Sequence, residues 1–180
     1  MKLKVCKVCK VKFTPVRQFQ VVCSIKCAQE YSKICQAKKQ RKEKLVFRMS
    51  DKKTLMTKAQ ALFNRYIRLR DKNLPCISCG YKGENRQWHA GHYRPQGRNG
   101  ALRFCEFNCH KQCSICNNHL SGNLVRYREN LIKKIGLETV LELENNNEVK
   151  KWTVDELKDL IQTYRQKCKE IESECKRKNT

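Results

Sequence analysis

Apolar residues recur every three or four positions in three stretches of this chain. Leu55, Ala59, Leu62, Phe63, Tyr66 and Ile67 form one stripe, predicting an amphipathic helix that ends near Asn73, where Leu74-Pro75 stops it. Leu124, Tyr127, Leu131, Ile132 and Ile135 form a second, in a helical segment over 123–145 with Gly136 as a C-cap or break. The third follows a T-x-x-E capping box at Thr153 and Glu156. Along it Leu157, Ile161, Tyr164, Cys168, Ile171 and Cys175 make a seam that needs another helix, either of the same chain or of a second copy in a homodimer.

Between residues 31 and 53 the periodicity fades into charge. YSKICQAKKQRKEKLVFRMSDKK holds nine basic and two acidic residues and no Gly or Pro, which predicts a solvated helical linker. The whole chain carries a net charge of +23, from 40 Lys and Arg against 17 Asp and Glu, and so calls for a polyanionic partner, in the first place nucleic acid. Within residues 1–53 there are 16 basic residues and three acids, Glu30, Glu43 and Asp51. A membrane is the poorer partner: no apolar run approaches the roughly 18 residues of a span, and MKLKVCKVCK lacks a secretory apolar region.

Only 39% of the chain is hydrophobic, which excludes a large conventional core and favours small metal-stabilised modules. The 13 Cys supply the ligands, and their pairing favours zinc sites over a disulfide framework. Cys6, Cys9, Cys23 and Cys27 fit one tetrahedral site, with Phe13, Pro15, Phe19, Val21 and Val22 as a hairpin and its apolar cover. Cys76-x2-Cys79 and Cys113-x2-Cys116, with 33 residues between them, fit a second closed site that leaves no coordination position for chemistry. Cys35 reads as a free thiol. The expected fold is α+β: a zinc finger at 1–30, a basic linker and amphipathic helix at 31–73, a central finger at 74–122, and C-terminal helices at 123–180.

The segment between the central pairs is richer in chemistry. WHAGHYRP supplies His89 and His92, PQGRNGAL reads as a turn, and RFCEFNCHKQ brings Asn108 and His110 to the second pair. Asn117, His119, Ser121 and Gly122 then open the next helix. A His-strand, a turn, an Asn-strand and a helix, set between two C-x2-C pairs, resemble the HNH or ββα-metal nuclease finger. More closely, CISCG…AGHYRP…LRF…N-x-HKQC-x-x-CN-x-H-x-SGNLV-x-YR resembles the NinG (Rap) recombination proteins of lambdoid phages, and the similarity reaches over nearly the whole chain.

The resemblance implies a structure-specific endonuclease that cleaves branched recombination intermediates, Holliday junctions and D-loops, by metal-dependent hydrolysis. It would act in the cytoplasm of a bacterial host, with phage or host recombination proteins as possible partners. His92 is implied as the general base, a role that neutral imidazole suits near pH 7. Asn108 is implied to hold the hairpin and the base in orientation. Asn117, His119 and His89 are implied as ligands of a catalytic Mg²⁺ or Mn²⁺, so that the catalytic set is His92, Asn108, Asn117 and His119. In one departure, Gly91 stands where many such fingers place an acidic or His ligand, which leaves that duty to His89.

Other residues have two readings. His110 caps the hairpin or bonds a knuckle carbonyl, unless Cys105 and Cys109 join it and His119 in a further zinc site. Lys38, Lys39, Arg41, Lys42 and Lys44 on the linker, with Arg94, Arg98, Arg103 and Lys111 around the finger, are expected to contact DNA phosphates. A non-catalytic zinc protein that binds DNA as a recombination accessory fits the composition and both fingers equally well, and an RNA-binding zinc protein is a weaker third reading.

Overall fold

The Cys-rich N-terminus folds around its own ligands. In a computed structural model, which describes residues 2–97 and 100–178, it belongs to a unit of residues 1–50, followed by a second unit of residues 51–180. Strands β1 (Lys4–Val5) and β2 (Lys12–Phe13) pair antiparallel, and helix α1 (Ile25–Ser50) follows. The apolar cover is smaller than expected: Cys6, Pro15 and Val22 are buried, whereas Phe19 is 86% exposed. From Ser32 to Arg48 every side chain of α1 is exposed, as its charge requires.

The expected 31–73 segment divides at Ser50 and Asp51. Asp51 Oδ2 accepts from Thr54 N at 2.7 Å and caps α2 (Lys52–Arg70), which belongs to the second unit. The buried face of α2, from Leu55 to Ile67, packs on Leu157, Ile161, Tyr164 and Cys168 of α5 (Val154–Lys178). The α5 seam therefore pairs within its own chain, covered by α2 as far as Ile171, while its last expected member, Cys175, is exposed. Phe63 anchors this core, edge-on to Tyr164 at 5.0 Å and to Phe104 at 5.7 Å. The capping box starts α5 as predicted: Thr153 N donates to Glu156 Oε2 at 2.7 Å and Glu156 N to Thr153 Oγ1 at 3.2 Å.

Strand β3 (Trp88–His92) pairs antiparallel with β4 (Cys109–Cys113), Gly91 opposite His110 and His92 opposite Cys109. Alternate residues of a strand face opposite sides. Ala90 and Cys109 thus join the α2–α5 core, while Gly91 and His110 meet Tyr127 on α3 (Leu124–Ile135). Gly136, at φ +85°, breaks α3 from α4 (Leu137–Asn145). The two helices close a second core with Tyr93 and Leu102 from the β3–β4 connection. No described helix is long and apolar enough to cross a membrane.

Candidate functional site

Both cysteine tetrads assemble, each with its four sulfur atoms within 4.8 Å of one another. Neighbouring sulfurs lie at 3.5 Å (Cys9 and Cys23), 3.7 Å (Cys23 and Cys27) and 3.8 Å (Cys79 and Cys113). A zinc tetrahedron with bonds of about 2.3 Å has edges of about 3.8 Å, so either tetrad could hold Zn²⁺. Both first pairs use one turn. Lys10 (φ 63°) and Gly80 (φ 71°) are left-handed, and their N–H groups donate to Cys6 O at 3.1 Å and Cys76 O at 2.9 Å. Arg86 Nη1 (3.7 Å) and Asn123 Nδ2 (3.6 Å) donate to Cys113 and Cys116 sulfur, orienting the second tetrad from outside.

The SGN run has a backbone purpose. Ser121, Gly122 and Asn123 all have positive φ, and this tight loop separates α3 from a single π-helical turn, Ile115–His119. Gly122 N donates to Cys116 O, and Gly122 O accepts from Ser78 Oγ and Gln112 Nε2. Gln112 explains Gly91: a Cβ there would lie 2.1 Å from Gln112 Oε1, and the Gln112 amide is already tied to Ser78 Oγ at 2.7 Å. The position expected to carry a metal ligand in an HNH finger is closed to any side chain unless Gln112 moves.

His92 ends β3 with its ring 5.9 Å from that of Phe63. Its Nε2 lies 2.9 Å from Arg103 O. A carbonyl oxygen only accepts, so Nε2 carries the proton and Nδ1 the lone pair. Burial, assisted by the Arg103 guanidinium, holds the imidazole below its ordinary pKa, against the opposing pull of the Arg103 carbonyl. Asn108, fully buried, braces the loop that follows. Its Oδ1 accepts from Arg94 N at 2.8 Å, and its Nδ2 donates to Arg94 O at 3.0 Å and Leu102 O at 3.1 Å.

Of the expected cation ligands, His89 is turned away from this base. His89 lies three residues before His92 on a regular strand and therefore on the other face, where its Nε2 is buried without a partner. Asn117 sits in the π-helical turn, with Nδ2 donating to Asn118 Oδ1 at 2.7 Å and its own Oδ1 left to accept. His119 is exposed on the same turn. The alternative zinc site is not built. Among the described residues only the two tetrads bring three or more potential ligands together, and Cys109 and His110, adjacent on β4, face opposite sides. His110 Nδ1 pairs with Tyr127 Oη at 3.3 Å, and that hydroxyl donates to Gly91 O at 2.9 Å.

The basic residues divide as well. Lys38, Lys39, Arg41, Lys42 and Lys44 are exposed on α1. Lys111 requires correction: it is 6% exposed, its Nζ donates to Lys72 O at 2.6 Å, and it lies over the Trp88 ring at 4.3 Å, so its charge is used inside the fold. Arg94 and Arg103, half-buried, donate to Asn147 Oδ1 at 3.2 Å and Gln60 Oε1 at 3.1 Å. Arg98 lies outside the described residues.

Sequence reasoning missed two features. Asp71, 2% exposed, accepts from Arg70 Nε and Nη2 at 2.9 and 2.8 Å, from Lys111 N at 3.1 Å and from Lys134 Nζ at 3.3 Å. Arg70 also donates to Cys109 O at 2.9 Å and so pins the end of α2 to β4 beside His92. Gln96 Nε2 lies 2.9 Å from His92 Nδ1, a contact made by loop shape that no spacing signals.

Comparison with known proteins gives the same direction over most of the chain. A family model described as Bacteriophage Lambda NinG protein matches residues 1–174. Protein ninG of Escherichia phage lambda is 50% identical over 113 residues, which are 63% of this chain and 55% of that protein. Protein ninG of Salmonella phage P22 is 49% identical over 113 residues, with the same shares of 63% and 55%. The match thus spans little more than half the length of these relatives, and no solved structure matches the chain. With the family model aligned along nearly its whole length, the chain belongs to the NinG family.

Proposed function

We propose that this protein is a structure-selective endonuclease that hydrolyses phosphodiester bonds in branched recombination DNA, Holliday junctions and D-loops, in the cytoplasm of a phage-infected bacterium. The observation that carries the reading is His92, whose Nε2–H is fixed on Arg103 O and whose Nδ1 is left as a base in a loop braced by Asn108. In the reaction a water oxygen bonds to phosphorus and the water proton passes to Nδ1, while the bond from phosphorus to the departing sugar oxygen breaks and that oxygen takes a proton from solvent to leave as a hydroxyl. Because its pKa is lowered, the ring is neutral at pH 7 and ready to accept that proton.

Zn²⁺ in each tetrad would hold the fold and take no part in chemistry. A Mg²⁺ or Mn²⁺ ion, when bound, would supply positive charge at the scissile phosphate; Asn117 Oδ1 and the accessible His119 ring are the donors to hold it. The exposed lysines and arginines of α1 would track phosphates, which selects DNA by shape and charge rather than by base sequence. Other recombination proteins of phage or host are proposed as partners on the same ground.

The second reading, a non-catalytic recombination accessory, is favoured by His89, which the strand turns to the face opposite His92. A labelled four-way junction and a linear duplex, each incubated with zinc-loaded protein and Mg²⁺ or Mn²⁺, separate the two. The endonuclease nicks the junction in preference to the duplex. Tight junction binding with no cleavage under either metal would establish the accessory instead.

A further inference from the structure

On the sheet face opposite His92, the end of α2, the turn of the first C-x2-C pair of the second tetrad, and α3 enclose a cavity of about 290 Å³. That is the lower end of the range for small-molecule sites. Leu74, Pro75 and Ile77 give it apolar walls, His110 reaches it from β4, and Asn130 and Lys134 reach it from α3. Asp71, at its edge, is already satisfied by Arg70, Lys134 and the Lys111 N–H. His110 is not. The Tyr127 hydroxyl gives its proton to Gly91 O, so His110 Nδ1 donates to Tyr127 Oη and the lone pair sits on Nε2. Although the residue is only 2% exposed, Nε2 has no partner among the described residues and is not sealed from solvent. Burial, then the nearby Lys134 and Arg70 charges, keep the ring neutral, so Nε2 stays an acceptor. The Lys134 ammonium, bonded once to Asp71, has further protons to give.

These groups narrow the occupant. A phosphodiester has no N–H or O–H for Nε2 and would face the Asp71 carboxylate, while an ammonium would face Lys134. A neutral body with a donor beside an acceptor satisfies both, and the Watson–Crick edge of every nucleobase has that pair. We propose that this cavity receives one unpaired nucleobase of branched DNA, its N–H donated to His110 Nε2 and its neighbouring acceptor set on Lys134. This rests on the reading of branched DNA as the partner. A peptide amide offers the same two groups, but a chain with a net charge of +23 draws in DNA first. Extruding a base costs least where it is already unpaired, as at a disrupted branch point. The cavity therefore favours branched DNA over an intact duplex by a route separate from the phosphate contacts of α1.

The test uses zinc-loaded full-length protein without added Mg²⁺ or Mn²⁺, and three duplexes that differ at one bulged nucleotide: thymine, N3-methylthymine or an abasic sugar. The thymine duplex should bind about tenfold more tightly than the abasic one. The N3-methyl group removes the base's single donor and should return the affinity to the abasic value. His110→Phe should abolish the thymine preference and leave the abasic affinity unchanged. Because that variant also loses the Nδ1–H bond to Tyr127, nitrogen NMR of the wild type gives a second reading. The His110 Nε2 resonance should move with the thymine duplex and stay in place with the other two. Equal affinity for all three duplexes, or an Nε2 resonance that answers all three alike, would overturn the proposal. Neither readout involves cleavage. A thymine preference in a protein that cuts no junction would sink the endonuclease reading and leave the cavity assigned, and cleavage without that preference would do the reverse.

Discussion

The proton on His92 Nε2 belongs to the carbonyl oxygen of Arg103, 2.9 Å away, and this one bond decides which nitrogen can act. Burial, first, and the Arg103 guanidinium hold the folded pKa below the ordinary 6.5. For a base with a lowered folded pKa, the unfolded chain binds more protons below pH 6.5, so His92 withdraws stability as pH falls through that value. The expected NMR titration midpoint is below 6.5 in the zinc-loaded protein, and a midpoint above it would place the proton on the wrong side of this account.

Asn108 should be among the most sensitive positions for stability. Replacement by Ala orphans Arg94 N–H and two carbonyls in a buried site, each at a cost of about 1–3 kcal/mol. We expect a loss above about 3 kcal/mol in denaturant unfolding at saturating zinc. Asn108→Asp keeps the acceptor for Arg94 N but neither donor, and should also be destabilised. A loss below about 1 kcal/mol in Asn108→Ala would show that the loop is held by other means.

Gly91→Ala drives a methyl group into Gln112 Oε1 and so pushes the amide off Ser78, which lies inside the first knuckle of the second tetrad. Overpacking of this kind costs about 1–3 kcal/mol. A double-mutant cycle isolates the cause: on a Gln112→Ala background the further Gly91→Ala change should cost much less. Equal costs on both backgrounds would place the strain elsewhere.

His110 gives a pH signature of its own. Burial, then the nearby charges of Lys134 and Arg70, push its folded pKa down to about 3. Between about pH 6.5 and 3 the unfolded chain again holds the extra proton, so stability rises with pH across that window and levels off above it. His110→Asn can still donate towards Tyr127 and cannot titrate. Its unfolding free energy should fall less steeply than the wild type's between pH 6.5 and 5, both measured in excess zinc. Parallel slopes would mean that His110 is not the group responsible.

How much of this was legible in the chain depends on how local each signal is. The α2 and α5 stripes were readable because each is an apolar face needing cover, but only packing showed that they cover each other. The Asp51 cap that divides the basic stretch was present in the sequence, hidden by a run of charge that reads equally well as one helix. The tetrads could be read because thiolate spacing is a direct constraint of zinc. Asn108 and His92 came from resemblance, and the loop geometry gives them physical work. His89 could not be placed, since strand alternation matters only once the strand's limits are known. Lys111 and Asp71 depended on contacts between segments 39 to 63 residues apart, and Gln96 on loop shape, where composition has no voice.

The central claim is tested most directly by single-turnover cleavage of a labelled four-way junction with wild type and His92→Asn, each with zinc content and junction affinity measured alongside. Loss of a general base lowers the rate by about 10²–10⁴-fold. We predict a drop of that order in His92→Asn, with both tetrads still loaded and the junction still bound. Equal cleavage rates in the two proteins would contradict the assignment of His92 as the base.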